Sequence, residues 1–332
     1  MNTKLRALAL VPGSEGGVGP ELLLRALQDE HLLACDYYWC GDKASLDLAA
    51  KRSKIQLKFS STHQAQLPQG SVIHVAKDLV RGAGEHERQA IFLKNSVELA
   101  QSGLVHAIVT APIEKAALAF LPGGPWPGQT EYFSHHLGSG KAFMAFLGGP
   151  FMMSLLTTHI PLSQVSSELS SSKLLRHLKQ VSEQCAKILG KKPAEVSIAV
   201  LGLNPHAGEH GLLGREEIDH LIPAIKDAQD LGLDVSGPWA ADGYFAYFNR
   251  ESPPHDAVVA IYHDQGLIAY KLLSEGAAVN VTLGLSIPRT SPAHGTAHDL
   301  VGTGKASYKS TLKAIEVAMR LGENFQPRDN LN

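Results

Sequence analysis

The chain has 332 residues, enough to bury a large core as one big α/β unit or as two domains sharing an interface. With 44% hydrophobic and 19% charged residues and a formal charge of -2, it is no small stapled scaffold and no general nucleic-acid or membrane-surface binder, so an anionic ligand needs a local cluster of cations. Cys35, Cys40 and Cys185 stand in no metal or redox spacing and read as reduced thiols of a cytoplasmic protein, and the apolar stretch around Arg6 is too short for a signal core or a membrane span.

Short apolar runs alternate with longer amphipathic ones, the pattern of an α/β fold. A first strand is expected over 5–11, followed by the glycine loop "GSEGGVGPE", Gly13 to Glu21. Its order lacks the Gly-x-Gly-x-x-Gly of a dinucleotide turn and the Gly-Lys-Ser/Thr ending of a P-loop. It is either a tight strand-to-helix turn, with Pro20 at a first helical position, or a place where a ligand approaches backbone that only glycine permits. A helix over 85–101 puts Ala90, Leu93, Val97 and Ala100 on one face, and a strand follows at 106–110. The breaker cluster "LPGGPWPGQ", Leu121 to Gln129, is either a domain crossover or a substrate loop.

Strands are expected next at 142–147 and 152–157, then a helix over 171–189 with Leu174, Leu178, Val181, Cys185 and Ile188 on one face before Gly190. A strand at 196–201 and a helix over 215–231, kinked or interrupted at Pro223, precede strands at 257–262 and 278–283 and a last helix over 306–321. The final "NFQPRDNLN" has no apolar periodicity and is expected to fray.

Three histidines lie just beyond apolar strands and before turn residues: His159 in "LLTTHIP", His206 in "GLNPHAGE" and His263 in "VVAIYHDQG". The carboxyl ends of parallel strands converge on the ligand crevice of an open α/β sheet, so three imidazoles there could hold a divalent metal and leave a position for substrate. Their separations fit no local metal motif, and a lone histidine at a strand end is usually a polar filler. His31, His63, His74 and His177 lack this setting and read as surface residues. Lys271, Asn280, Arg289, Thr290, Ser291, His294 and Asp299 form a polar and cationic cluster suited to a carboxylate or phosphate, and Lys115 follows another strand end.

"VTAPIEKAAL", "PGQTEY", "TTHIPL", "GLNPHAGE" with "GREEID", "YHDQGL" and "VNVTLGLSIPRTSPAHGTAHDLVGTGKA" together resemble the 4-hydroxythreonine-4-phosphate dehydrogenase family of pyridoxal phosphate biosynthesis, in order from Gly13 to about Leu321. The resemblance implies a two-domain α/β enzyme of the isocitrate/isopropylmalate dehydrogenase-like fold, active site in the interdomain cleft. The expected division is a discontinuous first domain, 1–125 plus 270–332, and a second, 126–269, carrying dimer contacts. It also implies a homodimer with a shared site and a divalent metal (zinc, magnesium or cobalt) held by His159, His206 and His263 drawn from both subunits.

Gln129, Thr130, Lys271, Asn280 and Arg289 fall on the family's substrate-contacting positions, and Asp242 and Asp264 on its acidic ones. The implied reaction oxidises 4-phosphooxy-L-threonine with NAD or NADP and decarboxylates the product to 3-amino-2-oxopropyl phosphate. Lys271 or an aspartate such as Asp242 would take the alcohol proton. No cofactor-binding residue is assigned, and neither a nucleic acid nor a membrane is expected as partner.

Two departures stand out. The family's Gly-His-Thr-Glu reads Gly128-Gln129-Thr130-Glu131, replacing an imidazole by a neutral amide, and its Gly-Asp-Pro-Ala-Gly-Ile-Gly-Pro-Glu reads as the glycine loop with Ser14 and Glu15. Alternative readings are therefore a related dehydrogenase of another phosphorylated hydroxy acid or of a dihydrodiol carboxylate, or a noncatalytic metabolite-binding homologue.

Overall fold

A computed structural model describes residues 7–61, 63–67, 70–75, 82–246, 248 and 253–324. The expected first two residues of the opening strand, Leu5 and Arg6, and nearly all of the terminal segment lie outside them. In chain order the elements are β1 (Ala7–Val11), α1 (Gly19–Ala26), β2 (Asp36–Trp39), α2 (Lys43–Ser53), β3 (Lys58–Ser61), β4 (Gln64–Gln66), β5 (Val72–Val75), α3 (Glu85–Gln101), β6 (Ala107–Thr110), α4 (Gln129–Leu137) and β7 (Gly138–Leu147). Then follow β8 (Met152–Leu155), α5 (Ser171–Leu189), β9 (Ile198–Leu201), α6 (Ile222–Asp230), β10 (Val235–Trp239), α7 (Ala241–Ala246), β11 (Ala257–Ala260), α8 (His263–Leu273), β12 (Val279–Leu285), β13 (Arg289–Pro292) and α9 (Lys309–Asn324). The chain forms two compact units, 1–143 with 279–332, and 144–278.

In the first unit the strand order is β12-β13-β6-β1-β2-β5-β4-β3. The five strands from β13 to β5 are parallel, whereas β12, β4 and β3 each run antiparallel to a neighbour. All five residues of β1 are buried, as expected of a parallel strand covered on both faces. The expected helix over 85–101 is α3, with Ala90, Leu93 and Val97 in a core that also takes in Phe133 and Leu285. β13 carries no apolar signal in "RTSP", yet it pairs in register with β12 and its four residues are buried.

In the second unit the order is β10-β9-β11-β8-β7, parallel except for β7 against β8. α5 begins where the Ser170 side chain accepts a bond from the Lys173 amide and ends at Gly190, as read from sequence. The helix expected over 215–231 is interrupted as Pro223 required: a π-helical turn, Glu217–Leu221, precedes α6, since a proline without an N–H cannot close the regular ladder. β8 ends two residues earlier than expected, although the Leu156 and Thr157 amides still donate to the Ala260 and Ile261 carbonyls. Among the described residues no helix is long and apolar enough to cross a membrane.

One histidine departs from its sequence reading. His177, expected at the surface, is buried on α5, where its Nε2 lies 2.8 Å from the Oγ of fully buried Ser154 on β8. Its place at one step from Leu174 and Leu178 on the same helical face is the signal that was missed.

Candidate functional site

β9, β11 and β8 lie side by side in the second unit, so their carboxyl ends bring three loops together. Each loop carries one of the singled-out histidines. His159 is exposed four residues beyond β8, and its loop is pinned by the Thr157 hydroxyl, which donates to the Ile261 carbonyl at 2.7 Å. His263 opens α8, and its ring centroid is 5.7 Å from that of His159. The His263 Nδ1–H donates to the Asp264 carboxylate at 2.6 Å, which leaves Nε2 with its lone pair available to a cation.

His206 follows β9 on a different kind of turn. Residues 206–210 all have φ between 42° and 82°, a left-handed stretch in which only Gly208 is a glycine. Each non-glycine there costs roughly 1–2 kcal/mol, so the turn requires external support. Fully buried Glu217 supplies it by accepting from the Asn204 amide at 2.8 Å and from its side-chain nitrogen at 2.9 Å. Glu216 accepts from Ser166 and from Asn204, and those two bonds hold its carboxyl below the usual range. Gln265, two residues after His263, accepts from the Ile261 amide and donates to the Gly202 carbonyl, tying the second loop to the third. The motif "GREEID" was thus visible in sequence, but the part played by Glu217 was not.

The donor chemistry suits a borderline divalent cation: two imidazoles converge, one with its tautomer held. Among the described residues no three His, Cys, Asp or Glu groups come together tightly enough to hold a metal, so His206 does not join His159 and His263 within one chain. Asp242 on α7 and Lys271 on α8 are both exposed.

Lys271 lies in the second unit, and the first unit holds the other anion-binding candidates. Arg289 on β13 is 3% exposed, and its hydrogen-bond acceptors among the described residues are neutral oxygens. Nε and Nη2 donate to the Thr110 hydroxyl at 2.9 and 2.6 Å, Nη2 to the Gln129 Oε1 at 3.1 Å, and Nη1 reaches Thr282 at 3.5 Å. Burial pushes the guanidinium down to about 10, still cationic at neutral pH, while Glu131 opposes the shift. Thr282 lies opposite Arg289 in the β12–β13 register and Asn280 opposite Ser291, so the period of two places these four on one sheet face. The buried Asn280 Oδ1 has no hydrogen-bond partner. Gln129 and Thr130 form the first turn of α4, whose free N–H groups favour an anion. Thr110 and Thr282 went unrecognised, because a threonine at the end or in the middle of a strand carries no distinctive signal.

The glycine loop packs closely on its own chain. The amides of Ser14, Gly16, Gly17 and Val18 donate respectively to the Pro112 carbonyl, the Glu85 carboxylate, the Ser14 carbonyl and the Thr296 carbonyl, so these four are taken up by the chain itself. A Cβ on Gly13 would sit 2.3 Å from the Pro112 oxygen, and one on Gly19 2.6 Å from Ala111, so these glycines serve close packing of the chain on itself. The two departures also find partners here. The Ser14 hydroxyl donates to Glu114 at 2.6 Å; together with His86 it holds that carboxyl below its usual value. Glu15 pairs with Arg88, although burial still raises its carboxyl. Lys115 is exposed.

Residues 33–318 match the family described as pyridoxal phosphate biosynthetic protein PdxA. A 4-hydroxythreonine-4-phosphate dehydrogenase from Trichlorobacter lovleyi is 37% identical over 336 aligned residues, covering 97% of this chain and 99% of the relative. One from Bacteroides thetaiotaomicron is 36% identical, covering 96% of this chain and 89% of that protein. The crystal structure of the Klebsiella pneumoniae 4-hydroxythreonine-4-phosphate dehydrogenase superposes with a TM-score of 0.79 at 30% identity, covering 96% of this chain and 99% of the other. A terephthalate 1,2-cis-dihydrodiol dehydrogenase from Burkholderia xenovorans shares the fold, with a TM-score of 0.60 at 24% identity over 96% of this chain and 98% of that one.

Proposed function

Because the chain belongs to the family of the pyridoxal phosphate biosynthetic protein PdxA, we infer that it is a dehydrogenase that oxidises and decarboxylates 4-phosphooxy-L-threonine to 3-amino-2-oxopropyl phosphate. The observation that carries the reading is the His159–His263 pair, two imidazoles converging at adjacent strand ends with one tautomer held by Asp264. A divalent cation (zinc, magnesium or cobalt) would polarise the substrate hydroxyl, and NAD or NADP would accept the hydride.

The residues of this chain divide the remaining work by chemistry. Arg289, a buried cation whose hydrogen-bond acceptors are neutral, is suited to hold the anionic end of the substrate, with the Asn280 side-chain NH2 and the first-turn N–H groups of α4 at Gln129 and Thr130 adding neutral donors. His159 and His263 supply imidazole nitrogens to the cation, and Asp264 orients His263. Lys271 or Asp242 is the proton acceptor from the hydroxyl; both are exposed and free to reach a ligand. No residue is assigned to the nicotinamide.

His206 completes the set from a second copy of the chain. Exposed Leu212 and Leu213 beside it, and Leu162 beyond His159, give the surface an apolar character that a homodimer would cover. Three buried cysteines in no disulfide spacing fit a cytoplasmic protein.

Purified protein supplied with cobalt or zinc, NAD and 4-phosphooxy-L-threonine is expected to release NADH and carbon dioxide. No NADH or NADPH with zinc, magnesium or cobalt, from NAD or NADP, would refute the substrate assignment. Gln129 favours one second reading, a different phosphorylated hydroxy acid or a dihydrodiol carboxylate as substrate, and turnover confined to such compounds would establish it.

A further inference from the structure

We propose that Glu217 is the positioning residue for His206, holding the left-handed turn that displays its imidazole. The proposal rests on the reading of His206 as a metal ligand and adds how the chain presents it.

Four non-glycine residues in left-handed conformation within one five-residue stretch are not a local preference of any sequence, so the conformation is imposed from outside the turn. The imposing group is identifiable. Glu217 is 1% exposed and grips the start of the turn through both the backbone and the side-chain nitrogen of Asn204. It also bears on the middle, since a Cβ on Gly208 would lie 2.7 Å from its Oε2. Two acceptor oxygens are needed for the two Asn204 donors, which a carboxylate has and an amide lacks. His206 itself is exposed and faces outward from this braced turn, while Gln265 ties Gly202, two residues before Asn204, to the element bearing His263.

Two measurements on the full-length protein decide the matter. In the metal-free protein, Glu217→Gln is expected to raise amide hydrogen exchange across 204–211 by at least tenfold, leaving exchange in β9 and α5 unchanged. In cobalt titrations followed by visible absorption, His206→Ala is expected to weaken binding at least tenfold, Glu217→Gln about 10- to 100-fold, and the double variant no more than His206→Ala alone. Unchanged exchange in 204–211 overturns the proposal, and so does an equal loss of cobalt affinity from Glu217→Gln with and without His206. A His206→Ala protein that binds cobalt like wild type sinks the metal reading instead, while the exchange measurement still decides whether Glu217 holds the turn. Should Glu217→Gln fail to fold, Asn204→Ala probes the same contact from its other side, with the same outcomes.

Discussion

The Arg289 guanidinium donates to the Gln129 side-chain oxygen at 3.1 Å, so the amide that replaces the family's imidazole is oriented by the same cation that would hold the substrate anion. With its oxygen accepting from Arg289, Gln129 has its NH2 left to donate. A histidine at 129 would place a second titratable cation beside Arg289. In Gln129→His, kcat/KM is therefore expected to acquire an inflection between about pH 6 and 7 that wild type lacks, read from initial rates across pH. Superimposable profiles would remove Gln129 from substrate recognition.

Arg289→Met keeps length and removes the charge. A hydrogen bond to a charged group contributes about 1.5–3 kcal/mol, so KM for a phosphorylated substrate is expected to rise about 10- to 100-fold. Steady-state kinetics with circular dichroism checks this, and an unchanged KM in a folded variant would exclude the anion role.

Asp264→Asn takes away the carboxylate that receives the His263 Nδ1–H. Cobalt affinity is expected to fall about tenfold, the low end for such outer partners because Asp264 is exposed. Calorimetric titration of cobalt gives the number directly.

His177 provides a pH dependence of stability. Burial holds its imidazole down to about 4, against an ordinary value of 6.5. Between these limits the unfolded chain binds a proton that the folded chain refuses, so stability is full above pH 6.5 and is lost as pH falls toward 4, by about 3 kcal/mol at most. Urea unfolding at pH 7.5 and 4.5 is expected to show a smaller difference for His177→Gln than for wild type.

Gly13→Ala and Gly16→Ala separate packing from decoration in the glycine loop. At Gly13, with φ of 77°, an added methyl meets the Pro112 carbonyl at 2.3 Å, and a loss of about 3 kcal/mol or more is expected. At Gly16 it meets only side-chain atoms, of Glu85, His298 and Ser14 at 3.4, 3.5 and 3.6 Å, and less than about 1 kcal/mol should be lost. Melting temperatures of the two variants test the contrast.

What was legible in the sequence was whatever depends on periodicity and on local stops. The apolar cores of β1, β9 and β11, the faces of α3 and α5, and the break at Pro223 follow from neighbours a few residues away. The placement of His159, His206 and His263 just past apolar strands was readable for the same reason. Only the tertiary structure decided which strands stand side by side, and hence that the His159 and His263 rings meet while His206 stands apart. It alone revealed β13, because a strand of Arg, Thr, Ser and Pro is stabilised by register with its neighbours rather than by its own pattern. It alone made His177 a core residue, packed the glycine loop against its own chain, and joined Glu217 to the Asn204 turn. Those outcomes rest on contacts between segments distant in sequence, which no local pattern encodes.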